Sequence, residues 1–236
     1  MPNDFFRFKR FTIHQDRCAM KVGTDGVLLG AWACTGTAAR ILDIGTGTGL
    51  LALIAAQRFP AAWIDAVEID GQAAGQAWDN VSNSPWQGRI SIHTADARHW
   101  NSQERYDLVL CNPPFYKGHR PSQNERLAQA KHEASLNLPG LLMAIERHCG
   151  TTGKAALVLP VERLDELAAS GRAHGFSVSR LCMVRHLAGR PPKRVLVELR
   201  QGTAGVATQE ELVVQLRDGA FSPAYKALLA DLELHF

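Results

Sequence analysis

The sequence predicts an α/β fold built on a mostly parallel sheet that ends in an antiparallel hairpin. Between residues 39 and 172, short apolar runs alternate with longer amphipathic ones, the rhythm of strand–helix–strand units. The first run enters a glycine-rich turn, Gly45-Thr46-Gly47-Thr48-Gly49, and leaves it as a helix. After residue 175, two apolar runs follow with no helix between them, so they must pair antiparallel.

The elements follow in order. Residues 40–43 read as a buried strand and 50–58 as its return helix. Residues 63–67 form the next strand, and 71–80, rich in Ala and Gln, a helix. Residues 89–94 alternate apolar and polar, and 106–111 read as another buried strand. Residues 155–159 precede Pro160, a residue suited to a first helical turn, and Leu164, Leu167, Ala168 and Gly171 recur at helical spacing. The hairpin strands are 176–184 and 195–199, joined by Gly189-Arg190-Pro191-Pro192-Lys193. A last helix is expected from Ser222 or Pro223 to Leu232. The chain is expected to be one domain, 39–236, with residues 1–38 an extension packed on it.

Composition excludes several classes. With 236 residues and 46% hydrophobic content the chain is globular rather than disordered. Its longest apolar run, 50–56, is far too short for a membrane span, and the N-terminus lacks a signal-peptide pattern. Five scattered cysteines without a C-x-x-C pair, and nine histidines without ligand spacing, suggest neither disulfides nor a metal. A reducing cytoplasm is the expected location. The net charge of +3 neither requires nor forbids a nucleic-acid partner.

Glycines let a backbone turn sharply and approach a ligand where a Cβ would collide, and the helix start adds free N–H groups. The spacing G-x-G-x-G departs from the dinucleotide fingerprint G-x-G-x-x-G, whose last glycine would fall on Leu50. Acids stand at three successive strand ends: Asp43, Glu68 and Asp96, the last followed by Ala97. Glu68 could accept bonds from two ribose hydroxyls, or merely cap the next helix, a task for which Asp70 is better placed. A strand ending in Asp and then G-x-G-x-G resembles the first motif of class I S-adenosylmethionine-dependent methyltransferases. The resemblance implies a Rossmann-like, seven-stranded sheet. It further implies that Gly45, Gly47, Gly49 and Asp43 hold the methionine end of S-adenosylmethionine, Glu68 the ribose, and Asp96 with Ala97 the adenine.

The strand 106–111 ends in Asn112-Pro113-Pro114-Phe115. Consecutive prolines restrain Asn112, whose side-chain oxygen can join the Pro113 carbonyl in accepting both hydrogens of a planar NH₂ group. Phe115 offers a face for stacking a base or an amide. A conjugated NH₂ is a poor nucleophile; paired acceptors favour its pyramidal form and the positive charge that develops on it. A rigid turn with Phe115 in the core is the plain alternative. The motif resembles that of methyltransferases acting on adenine N6 or on glutamine side-chain nitrogen.

Further segments are similar to the bacterial tRNA-Val (adenine-37-N6)-methyltransferase family. They are Phe8-Lys9-Arg10-Phe11, the run from His14 to Gly26, Ser84-Pro85-Trp86, Arg89-Ile90, His93 to Asp96, Tyr225 and Leu234-His235-Phe236. Phe115 replaces the Tyr found in many members. The resemblance implies N6-methylation of adenine in tRNA, and that Lys21, Thr24 and Asp25 lie over the cofactor; Thr24-Asp25 also reads as a helix N-cap. Trp78, Trp86 and Trp100 read as packing residues, and Lys131-His132-Glu133 as a solvated helix start. The partner is expected to be the tRNA anticodon loop, the protein a monomer or weak homodimer. Protein glutamine methylation is the alternative, although the 38 residues before the glycine strand are short for the helical domain it usually carries. A non-catalytic tRNA-binding module is another, and a DNA adenine methyltransferase would want a larger recognition region.

Charge is uneven along the chain. Arg172, Arg180, Arg185, Arg190, Lys193, Arg194 and Arg200 face a single acid, Glu198, whereas the segment after Gln201 is acidic. Arg190, Lys193 and Arg194 at the proline turn, and Arg7, Lys9 and Arg10 among the N-terminal phenylalanines, are candidate RNA contacts; a solvated turn and a core-facing edge strand are the plain readings.

Overall fold

The computed structural model describes residues 3–113, 137–203 and 205–234. A short antiparallel hairpin, β1 (Phe5–Arg7) and β2 (Thr12–His14), precedes helix α1 (Thr24–Ala33). Then come β3 (Arg40–Ile44), α2 (Leu50–Arg58), β4 (Trp63–Glu68), α3 (Gly71–Ser82), β5 (Ile90–Thr94) and β6 (Tyr106–Cys111). The rest is α4 (Leu138–His148), β7 (Cys149–Pro160), α5 (Leu164–Ala173), β8 (Phe176–Leu187), β9 (Arg194–Gln201), β10 (Thr208–Gln215) and α6 (Pro223–Leu229).

The main sheet has the order β10-β8-β9-β7-β6-β3-β4-β5. Strands β3 to β7 run parallel, and β9 pairs antiparallel with both β7 and β8. Burial on both faces explains why the central strands are mostly apolar rather than strictly alternating. Successive residues feed opposite cores. Ile41, Leu108, Leu110, Ala156 and Val158 face α1 and α2, while Leu42, Ile44, Val109, Cys111 and Leu157 face α4 and α5.

Eight strands replace the expected seven among the described residues. The extra one, β10, lies parallel to β8 at the sheet edge, in the acidic segment after Gln201. Its start, Thr208-Gln209-Glu210-Glu211, looks too polar for a strand, yet each acid has a partner on β8. Arg180 binds Glu210 with Nε–Oε1 at 2.6 Å, and Arg185 binds Glu211. The final helix stops at Leu229, earlier than expected, and the Ser222 hydroxyl caps it by accepting from the Tyr225 N–H.

The N-terminal segment is divided. Phe8 and Phe11 are buried, their rings stacked 4.5 Å apart, with Trp86 edge-on to Phe11. Phe5 and Phe6 are exposed. Trp86 packs in the core and Trp100 among His93, Tyr106 and His148, but Trp78 is exposed, against the packing role expected of it. No helix among the described residues is long and apolar enough to cross a membrane. Among the same residues, no cluster of three His, Cys, Asp or Glu side chains is placed to hold a metal.

Candidate active site

The strand register gathers the expected residues at one end of the sheet. Ile44 is level with Val67 of β4 and Cys111 of β6, and Glu68 with Thr94 of β5. Gly45, Glu68 and Asn112 therefore sit in one row at the carboxyl ends of adjacent strands. At about 4.8 Å per strand, Asn112 lies two spacings, or about 10 Å, from Glu68. Asp96 follows two residues after β5. A crevice above the carboxyl ends of parallel strands is where open α/β sheets bind ligands.

Gly45, Gly47 and Gly49 all take positive φ, at 68°, 56° and 84°. A Cβ built on Gly45 or Gly47 would meet nothing within 4 Å, so the space above the loop is open. Four of the loop's N–H groups are engaged within the protein: Gly45 and Thr46 donate to the Val67 carbonyl, Gly49 to that of Thr46, and Gly47 to Glu68 Oε2 at 2.9 Å. The reason is geometric, since the loop folds back on the end of β4. What it offers a ligand is shape beside two buried acids, which suits a cation.

Asp43 is fully buried. Its Oδ2 accepts from the Thr46 hydroxyl at 2.5 Å and the Ala52 N–H at 3.2 Å, while Oδ1 is buried with no partner. Desolvation pushes its carboxyl up to about 7, against those two bonds, and the charge of Glu68 adds to the rise. Glu68, also buried, accepts the Gly47 and Asp70 N–H groups on separate oxygens. Asp70 is the helix cap expected, its Oδ1 accepting from Gln72 and Ala73. Asp96 is already engaged: the Arg98 guanidinium binds both its oxygens and holds the carboxyl below its ordinary range. Ala97, the next residue, is buried.

Asn112 is half-buried and its amide nitrogen faces α1, 3.4 Å from where a Cβ on Gly26 would stand. Pro113 is buried; Phe115, like residues 131–133, lies outside the described residues.

Residues 23–158 match the family model of the methyltransferase small domain. The chain is 39% identical over 236 residues to the tRNA1(Val) (adenine(37)-N6)-methyltransferase of Parabacteroides distasonis, with 99% of each chain covered. It is 40% identical over 236 residues to the enzyme of the same name from Bacteroides thetaiotaomicron, covering 100% of this chain and 99% of that one. This chain belongs to the tRNA1(Val) (adenine(37)-N6)-methyltransferase family. Among solved structures, one described as a predicted O-methyltransferase from Agrobacterium tumefaciens superposes with a TM-score of 0.68 at 19% identity, covering 88% of this chain and 96% of that one. That likeness concerns the fold.

The crevice of this methyltransferase fits S-adenosylmethionine, whose methionine end is cationic: an orphaned buried carboxylate oxygen stands beside an open glycine cradle. Lys21, Thr24 and Asp25, expected over the cofactor, have partners within the protein or lie on its surface. Helix α1 begins at Thr24 with Gly23 as its cap residue and no side-chain cap bond, so Thr24-Asp25 is not the N-cap. Asp25 instead pairs with Arg194, Nε–Oδ2 at 2.7 Å. Lys21 lies on the exposed segment leading to α1, near Asp4 and the Asn3 carbonyl.

The basic residues also sort themselves. Arg194, expected to project outward, is held by Asp25. Lys9 donates to the Ala230 carbonyl and ties the hairpin to the C-terminal tail, and Arg10 lies over the Trp86 ring at 5.4 Å. Arg180, Arg185 and Arg200 are paired with Glu210, Glu211 and Glu198. Among the described residues, the side chains of Arg7, Arg190 and Lys193 have no hydrogen bond or ion pair.

The sequence reading passed over the amides that strap the N-terminal segment across the methyltransferase crevice. Asn80, buried on α3, accepts from the His14 N–H and donates to the carbonyls of His14 and Thr48 in the glycine loop. Gln76, one turn earlier, accepts from the Arg17 N–H. Between them the strap lays Cys18 near Glu68 and Asp70; burial first, and then those acids, push its thiol up to about 12. Two amides at i and i+4 on the alanine face of α3 were the available signal.

Proposed function

We propose that the protein transfers the methyl group of S-adenosylmethionine to N6 of adenine 37 in a valine tRNA, in the cytoplasm, as a monomer or weak homodimer. The single observation carrying this reading is the placement of Asn112-Pro113 level with the glycine loop and one strand beyond it from Glu68. Residues 39–236 would carry the methyltransferase domain and residues 1–38 its cover.

S-adenosylmethionine, when bound, supplies an electrophilic methyl on a sulfonium. Glu68 accepts from the ribose, Asp43 and the glycine loop receive the cationic methionine end, and Ala97 lies beside the adenine. The Asn112 side-chain oxygen and the Pro113 carbonyl accept the two hydrogens of the target amine, turning its lone pair toward the methyl. They also stabilise the positive charge that grows on N6 as the carbon–sulfur bond breaks and the carbon–nitrogen bond forms. The surplus N6 proton then leaves to solvent. Phe115 stacks on the base, and Arg190, Lys193 and Arg7 meet the RNA backbone.

The test is incubation with isotopically labelled cofactor and total unmodified tRNA, followed by mass spectrometry of the nucleosides. Labelled N6-methyladenosine in a valine tRNA is expected. Label on glutamine of a protein fraction, with none in RNA, would move the assignment to the alternative acceptor.

A further inference from the structure

The sheet's outer edge carries a basic cleft that the sequence does not reveal. Strand β8 ends level with β10, Leu187 opposite Gln215, and the two chain exits lie side by side. The Ala188 N–H donates to the Gln215 carbonyl at 2.8 Å, and the Leu216–Ala220 turn closes beside it. Between them lies a cavity of about 300 Å³ lined by Leu187, Ala188, Gly189, Arg190 and Arg217. Gly189 has a φ of 80°, and a Cβ there would stand 3.1 Å from Arg217 Nη2, so the guanidinium rests directly on the glycine. A side chain at 189 would strain the positive φ and make the guanidinium give by a few tenths of an ångström.

Charge decides what the cleft suits. Arg180, Arg185, Arg194 and Arg200 each have a carboxylate partner. Among the described residues, the guanidinium groups of Arg190 and Arg217 have none, and Lys193 on the same turn has none either. The nearby acids are committed: Glu211 to Arg185, and Asp218 to the Ala220 N–H within its own turn. Two exposed guanidinium groups without partners around one small cavity match a phosphate, which both can bind with paired N–H donors.

Position decides which phosphate. The cleft opens at the carboxyl end of the parallel strands, the end that carries Asn112. It lies three to four strand spacings from β6 across β7, β9 and β8, and Leu187 stands five residues beyond Cys182, which is level with Asn112, so the separation is about 22–25 Å. At about 3.4 Å per stacked nucleotide, that spans about six or seven nucleotides from the target base, which reaches past the anticodon loop into the stem. Resting on the function proposed above, we infer that Arg190 and Arg217 clamp a backbone phosphate of the anticodon stem and so hold the tRNA on the enzyme.

The experiment compares wild type, the double variant Arg190→Ala/Arg217→Ala and the charge-keeping Arg190→Lys/Arg217→Lys. Methyl transfer is followed on full-length unmodified tRNA and on an anticodon loop carrying only two stem base pairs. The double Ala variant should raise KM for tRNA about tenfold, leave kcat within twofold, and lower the log–log salt slope of binding by about 0.9. The double Lys variant should keep the slope, and on the truncated loop all three proteins should coincide. Calorimetric cofactor affinity equal to wild type shows that the variants are folded. Wild-type methylation with unchanged KM and slope in the double Ala variant would overturn the clamp alone, as would a slope lost equally in the Lys variant. A wild-type protein that methylates no tRNA would overturn the functional reading, and the clamp with it.

Discussion

Gly26 and Asn112 lie so close that a Cβ on the glycine would stand 3.4 Å from Asn112 Nδ2 and 3.0 Å from Leu50 Cδ2. Helix α1 thus seats the residue expected to receive the target amine, and it does so with a side chain reduced to hydrogen. Gly26→Ala should cost less than about 1 kcal/mol in stability, because better helix propensity offsets the crowding. Turnover should nevertheless fall about tenfold or more, since small displacements of a positioning group are expensive in rate. Asn112→Ala should go further, cutting kcat by about 100-fold or more with cofactor affinity within twofold. Rapid-quench kinetics beside calorimetry separates the two; wild-type turnover in Asn112→Ala would refute the acceptor geometry.

Glu68 holds the loop as well as facing the crevice, so its two variants should behave differently. Glu68→Gln keeps an acceptor for one of the Gly47 and Asp70 N–H groups but removes the charge. It should weaken S-adenosylmethionine about tenfold or more with a small loss of stability. Glu68→Ala orphans both donors and should cost about 1–3 kcal/mol for each of them as well. Calorimetric titration and thermal melts check this pair. Equal cofactor affinity in wild type and Glu68→Gln would remove Glu68 from the cofactor site.

The buried Asp43 predicts a pH dependence. Burial raises its carboxyl to about 7 from the ordinary 3.8, so the free folded protein holds this proton more tightly than the unfolded chain does. Its contribution to stability is therefore full below 3.8 and lost as pH rises through about 7. A cationic ligand favours the ionised form. Cofactor binding should thus release a proton below about pH 7 and tighten by up to tenfold per unit between about 5.5 and 7. Titrations in two buffers of different ionisation enthalpy measure the proton. Asp43→Asn should abolish the slope, and a wild-type affinity that is flat across this window would show that Asp43 does not face the cation.

These contrasts show why some of the molecule was legible and some was not. Strands β3, β4 and β6 declared themselves because both faces are buried, and the glycine loop because positive φ at three alternate residues needs glycine. The acids Asp43 and Glu68 were found by their place at strand ends. Strand β10 was hidden because its surface is satisfied by charges on β8, a pairing that needs the sheet to exist before it can be read. The same cause misled the reading of charge. A basic stretch and an acidic tail, separate in sequence, lie side by side in space and largely neutralise each other. Asn80 was missed because a lone helical amide looks like surface until the N-terminal segment folds over it.

Arg194 tests that distinction between charge in sequence and charge in space. Its guanidinium joins Asp25 in the first turn of α1 to the start of β9, next to the turn that carries Arg190 and Lys193. Both side chains are about two-fifths exposed, at 41% and 39%, so the pair contributes only about 0–1 kcal/mol. If Arg194 is a strut rather than an RNA contact, Arg194→Ala should leave the salt slope of tRNA binding unchanged. Lys193→Ala, which breaks no pair, should flatten the slope by about 0.7–0.9 if its ammonium meets a phosphate. Asp25→Ala should reproduce the Arg194→Ala phenotype, and the double variant should add nothing to either. Fluorescence binding at several salt concentrations measures all four proteins. A flattened slope in Arg194→Ala would mean that the ion pair opens when RNA arrives, and would return Arg194 to the RNA surface.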